Sequence, residues 1–300
     1  MLRITVMPTA VLRSTKFLLF LLLVFWTAGA HLMAQQLRLP DRPADAPTGS
    51  EFRDQIRFLA LAAREKAILE QILAGNVPAF LRELVPVSVS GTAGGETLEA
   101  TYFVTPDYLA VGSDDDYFLI PMTPILAQRI ANATGTRMPT RRMVDQIWQA
   151  APLKLSPRPI PPSDQMTTIP VMYEHHLMVW EQREPALDDH PPGTLVAGHK
   201  KDVVISNRIF NQPPPGRVVI YGWHQRNGSP IQPLYSGHSE TYADYSHGIR
   251  LVLDSITVNG QPMQVRDVLQ HHERHVLLSG EGLIPQPFYP TGELFEVPDT

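Results

Sequence analysis

The sequence predicts an α+β protein in which N-terminal helices and a β-meander pack with a mostly antiparallel C-terminal sheet. Three observations carry this. Residues 52–73 hold apolar side chains at helical spacing. From Val85 to Pro121 the pattern changes to short β-branched and aromatic runs separated by Gly-rich or Asp-rich turns. After Pro162, short apolar runs such as DVVIS, RVVIY and IRLVL alternate with Pro-Gly punctuation.

The N-terminus carries Arg3, Arg13 and Lys16, then an apolar run from Phe17 to Trp26, then small residues through Ala30. This predicts a secretory signal peptide over residues 1–30, because the run is far shorter than the roughly 20 residues a spanning helix needs. Its removal leaves 22 of the 25 basic side chains against 30 acidic ones, a net charge of −8. Such a balance argues against nucleic acid or an anionic membrane surface as partner, and stable membrane insertion is not expected after cleavage. The chain has no cysteine, so thiol nucleophiles and thiolate metal sites are excluded and core packing must supply stability.

Residues 31–49, rich in Pro, Ala and Asp, are expected to form a flexible leader. Residues 50–300 then form a single domain, with a possible internal boundary at the proline-rich stretch 152–162. Ser50 is placed to cap a helix that ends before Gly75. Asp114, Asp115 and Asp116 occupy the last turn of the meander, where a solvated turn is favoured over a cation site. Thr123-Pro124 opens a second helix ending at Gly135, and Pro139-Thr140 a third reaching Trp148.

The stretch from Gly198 to Arg250 holds four of the eleven histidines. If residues 201–205 form a strand, Lys201, Val203 and Ile205 share one face and Asp202 the other. His199 and Asp202 are candidate acid–base groups beside lysines that perturb them. His224 lies at a strand end before an Arg226-Asn227-Gly228 turn. Tyr242, Asp244, Tyr245, Ser246, His247 and Arg250 are suited to bind a polar ligand, Arg250 clamping a carboxylate. The competing reading is a buried polar network that ties a loop to the sheet. His271, His272 and His275 fit a solvated helix end, and the adjacent His175 and His176 are expected to point apart.

The segment Ser236-Gly237-His238-Ser239-Glu240-Thr241-Tyr242-Ala243-Asp244 resembles the zinc-binding segment of the LAS metallopeptidases, S-x-H-x-x-G-x-A-x-D followed by E-x-x-H. Thr241 replaces the glycine, Asp244 arrives one residue early, and Glu273-Arg274-His275 is one residue short. The resemblance implies Zn2+ held by His238, Asp244 and His247 or His275, with Glu273 as base. An overlapping segment, Ser246-His247-Gly248-Ile249-Arg250-Leu251, resembles the L,D-transpeptidase signature S-H-G-C-I-R-L without its cysteine, which removes that family's nucleophile. GHKKDVVISN, RVVIYGWH and YADYSHGIRLV together resemble a family of secreted bacterial proteins, which implies export and no particular reaction.

Two functions follow as expectations. One is a secreted or periplasmic hydrolase, with zinc as the metal that the LAS resemblance implies, acting on cell-wall peptide or a related envelope polymer, with His199, Asp202, His224, Arg250 and Glu273 in catalytic roles. The other is a non-catalytic module that binds a small polar ligand or an envelope component through the same residues.

Overall fold

The computed structural model describes residues 35–211, 213 and 216–291. The expected signal peptide at 1–30 lies outside these residues, as do residues 31–34 of the leader. The rest of the leader is fastened to the domain rather than flexible. Gln35–Gln36 (β1) pairs antiparallel with a later strand, Leu37 is buried, and the Leu37 N–H donates to the Arg82 carbonyl. The Arg42 guanidinium donates to Asn76 Oδ1 and to the carbonyls of Ala46 and Pro47. Composition signals disorder only where too little is buried to offset chain entropy, and these anchors supply that burial.

The first helix is capped two residues before the expected position. Thr48 accepts from the Glu51 N–H while the Glu51 carboxylate accepts from the Thr48 N–H, a reciprocal capping box for Gly49–Ile56 (α1). Ser50 instead donates its hydroxyl to Asp116, so this aspartate closes the loop onto α1. The periodicity that predicted one helix spans two, because the chain breaks at residues 57–60 before Leu61–Leu73 (α2). Phe58 and Leu59 at that break are exposed.

Glu83–Ala93 (β2) and Glu96–Val104 (β3) form a hairpin, and Ala110–Gly112 (β4) pairs with Tyr117–Leu119 (β5). Pro124–Thr134 (α3) starts at the Thr123 cap and stops where Gly135 turns left-handed at φ 69°. Thr136–Arg137 (β6) leads to Arg141–Ala150 (α4), capped by Thr140. The stretch 152–162 is no boundary. Leu153–Lys154 (β7) pairs across it, and the described residues belong to one compact unit.

Ile169–Arg183 (α5) buries His175 and His176 together. The remaining elements are Val196–Ala197 (β8), which is β7's partner, Lys201–Val203 (β9), Ile220–His224 (β10), Pro230–Tyr235 (β11), His247–Gly248 (β12), Val252–Val258 (β13), Gln261–Gln264 (β14) and Val265–Leu269 (α6).

Most strand pairs are antiparallel, as an α+β fold requires, but the meander and the C-terminal strands are not separate sheets. β3 pairs with β13, giving one six-stranded sheet in the order β1-β2-β3-β13-β14, with β6 also on β13. A four-stranded sheet, β11-β10-β9-β12, carries the histidine-rich stretch. Its β9–β12 pair is parallel, placing His247 beside Lys201 and Gly248 beside Asp202.

Candidate functional site

Alternation along β9 sends Lys201 and Asp202 to opposite faces, as the strand period requires. On the Lys201 face, the ammonium lies 5.0 Å from the Trp223 ring, a cation–π contact. Trp223 sits at φ 54°, a left-handed conformation that is costly for a bulky residue. It is held there by its N–H on the Lys200 carbonyl and its indole N–H on the His199 carbonyl.

Asp244 folds its own loop. Its Oδ1 accepts from the Ser246 N–H at 2.8 Å and the Ser246 hydroxyl at 2.5 Å, and its Oδ2 accepts from Tyr242 at 3.1 Å. A side chain bonding the backbone two residues on is the Asx-turn habit of aspartate, and the turn delivers His247 to β12. His247 Nε2 stands 4.0 Å from Asp244 Oδ1. The ring is fully buried, and neither nitrogen has a protein hydrogen-bond partner. Tyr242 meets it edge-on at 5.7 Å and stacks on His238 at 3.9 Å.

Burial pushes the His247 pKa down to about 4 against the pull of Asp244, so the imidazole is neutral at neutral pH. Burial also opposes ionisation of Asp244. His247, Lys201 and the Ser246 bonds outweigh it and hold the carboxyl at about 2. With His247 neutral, Lys201 and the hydrogen bonds keep Asp244 charged. Lys200, wholly buried with its ammonium on the Tyr245 carbonyl at 2.7 Å, is lowered by burial to about 7. Lys201, His238 and Tyr242 are the partly exposed members, while Asp244 and His247 lie within.

On the Asp202 face the polar groups are saturated. Tyr108 donates to Asp202 at 2.8 Å, and Arg250 lies 3.9 Å from the same carboxylate and 4.3 Å above the Tyr108 ring. Arg250 spends its guanidinium on the carbonyls of Thr105 and Val196 at 2.9 and 2.7 Å. It therefore ties the sheet to neighbouring loops and is not free to clamp a ligand carboxylate. Burial raises Asp202 to about 6 despite Arg250. Gly248 makes the arrangement possible, because a Cβ there would fall 2.5 Å from Tyr108 Cδ1 and 2.8 Å from Lys200 Cβ.

His199 is wholly buried, with Nε2 3.0 Å from Asp107 Oδ1. His224 sits against α4, with Nε2 3.1 Å from Asp145 and its ring stacked on Trp148. Glu273 lies beside the β2–β3 turn at Gly94, and His275 bonds the His271 carbonyl. The structure thus brings together His238, Asp244 and His247 as neighbours and leaves His199, Asp202, His224, Arg250, Glu273 and His275 in other contacts. Among the described residues no three His, Asp or Glu side chains converge as a metal-ligating group. Tyr242, in contact with both His238 and His247, takes part in keeping those imidazoles apart.

Trp223 and Lys201 were not among the candidates from sequence. Lys201 was legible as the outward partner of Asp202 on a strand, whereas nothing local marks the left-handed Trp223 beyond the Gly222 before it. In comparisons with protein-family models, curated proteins and solved structures, no match to this chain was found.

Proposed function

We propose that the protein is an exported polar-ligand-binding protein of the cell envelope whose ligand seats at Lys201, His238 and Tyr242, with His247 behind them. The observation that supports this most is His247 itself. A buried imidazole left unpaired by the protein costs about 1–3 kcal/mol per unmet group, while its neutral ring offers one donor and one acceptor. Lys201 supplies a cation for a ligand carboxylate, and the stacked His238–Tyr242 pair gives a flat face for a sugar or peptide. Ser246 has its hydroxyl engaged by Asp244 and is not poised as a nucleophile, which favours binding over covalent catalysis.

The second reading is the hydrolase, supported by the 4.0 Å approach of Asp244 to His247. Movement of Tyr242 would let His238, Asp244 and His247 approach one Zn2+, and the metal would supply an activated water.

Titration of the chain lacking residues 1–30 with solubilised peptidoglycan fragments, followed by calorimetry, tests both. Binding that weakens at least tenfold in Lys201→Met and His247→Gln, with both variants folded by circular dichroism, supports the binding reading. Stoichiometric zinc lost in His238→Ala and Asp244→Ala, with fragment cleavage, replaces it by the hydrolase. Neither binding nor cleavage removes both.

A further inference from the structure

A second polar site lies apart from the His247 cluster, between β2, α4 and the loop at residues 279–281. It is a cavity of about 750 Å³ lined by, among others, Ser90, Arg141, Arg142, Asp145, Gln149 and Glu281. None of the His247 cluster lines it.

The charges in this cavity differ in how they are committed. Asp145 Oδ1 accepts from Tyr221 at 2.8 Å and from His224 at 3.1 Å, which fixes its carboxylate against β10. Glu281 Oε2 accepts from Ser206 at 2.8 Å. Each carboxylate is thus anchored through one oxygen. Arg141 holds its guanidinium 5.0 Å over the Tyr221 ring. The guanidinium of Arg142, a half-buried residue, has no hydrogen bond or ion pair among the described residues. Ser90 and Gln149 are likewise uncommitted polar groups at the wall.

The geometry points to a binding site for a short zwitterionic peptide. The unpaired Arg142 fork matches a terminal carboxylate, since guanidinium and carboxylate meet through two parallel hydrogen bonds. The anchored carboxylates of Asp145 and Glu281 keep a free oxygen each for a terminal ammonium. Ser90 and Gln149 offer donors and acceptors to the peptide groups between the ends. A simple anion is a poor match, because two carboxylates share the wall with the two arginines. The volume falls within the roughly 300–1,000 Å³ of ordinary small-molecule sites and exceeds what a single amino acid fills.

The test uses tetra-alanine as probe with the chain lacking residues 1–30, read by calorimetry and amide NMR shifts. Tetra-alanine binds, shifting amides of α4 and of residues 279–281. The C-amidated and N-acetylated forms each bind at least tenfold more weakly. Arg142→Ala loses the preference for the free carboxylate with an unchanged melting temperature, Arg142 having no partner to strand. Lys201→Met leaves this binding unaltered, which separates the site from the His247 cluster. Absence of tetra-alanine binding, equal affinity for the C-amidated form, or full affinity in Arg142→Ala overturns the assignment.

Discussion

Arg250→Ala separates the two roles a buried arginine in a histidine-rich segment can have. Arg250 is 1 % exposed and satisfies two backbone carbonyls, those of Thr105 and Val196, while facing Asp202. Truncation strands both carbonyls, and charge-assisted bonds of this kind are worth roughly 1.5–3 kcal/mol each, partly recovered where water enters the space. The cost at Asp202 is bounded. Its pKa is already about 6, so taking up a proton at pH 7 costs only about 1.4 kcal/mol. Together these place the loss near 4 kcal/mol, within the roughly 3–5 kcal/mol expected when one partner of a buried pair is removed. For a domain of this size that is a fall of roughly 10 °C in melting temperature. Arg250→Lys retains the charge but cannot reach both carbonyls in fork geometry, and loses about half as much. Urea denaturation followed by circular dichroism measures both. If Arg250→Ala unfolds within about 1 kcal/mol of the parent chain yet loses ligand binding, the network reasoning fails and Arg250 is a ligand clamp after all.

Two further outcomes follow from the same site. Gly248→Ala puts a methyl against the Tyr108 ring and the Lys200 stem, and overpacking of this kind costs roughly 1–3 kcal/mol; denaturation of the variant checks it, and parent-like stability would mean the ring yields freely. The buried histidines make the fold acid-sensitive. His247 and His176 are lowered by burial to about 4 and about 3, below the ordinary 6.5. The unfolded chain therefore binds protons below pH 6.5 that the folded chain refuses, and stability falls as the pH drops toward those values. Between pH 7 and 4.5 His247 contributes roughly 2–3 kcal/mol of that loss, so His247→Gln should show a shallower decline by this amount in paired urea titrations. Asp244 adds to this loss at lower pH. Its depressed pKa of about 2 adds stability that is lost only as the pH falls through that value. An identical decline in parent and His247→Gln would show that the ring is not held neutral.

Much of the scaffold was legible because its signals are local. Thr123-Pro124 and Gly135 bracket α3 through a side-chain cap and a left-handed residue, both decided within one turn of chain. The break between α1 and α2 was not legible, since no Gly or Pro marks residues 57–60. The leader was misread for a related reason: its anchors, Arg82 and Asn76, lie more than thirty residues away.

By itself, the sequence determined the α+β class, the start of α4 at Thr140, and the segment from His238 to Arg250 as the place where polar groups gather. Asp244 and His247 were close in sequence, and an Asx-turn keeps them close in space. Only the tertiary structure decided which of those groups are free. The parallel pairing of β9 with β12 sets Lys201 beside His247 and seals Asp202 against Tyr108 and Arg250. Residue types and spacing specify what a side chain offers. Whether that offer is spent on the fold or kept for a ligand depends on strand register and burial, which long-range packing alone fixes.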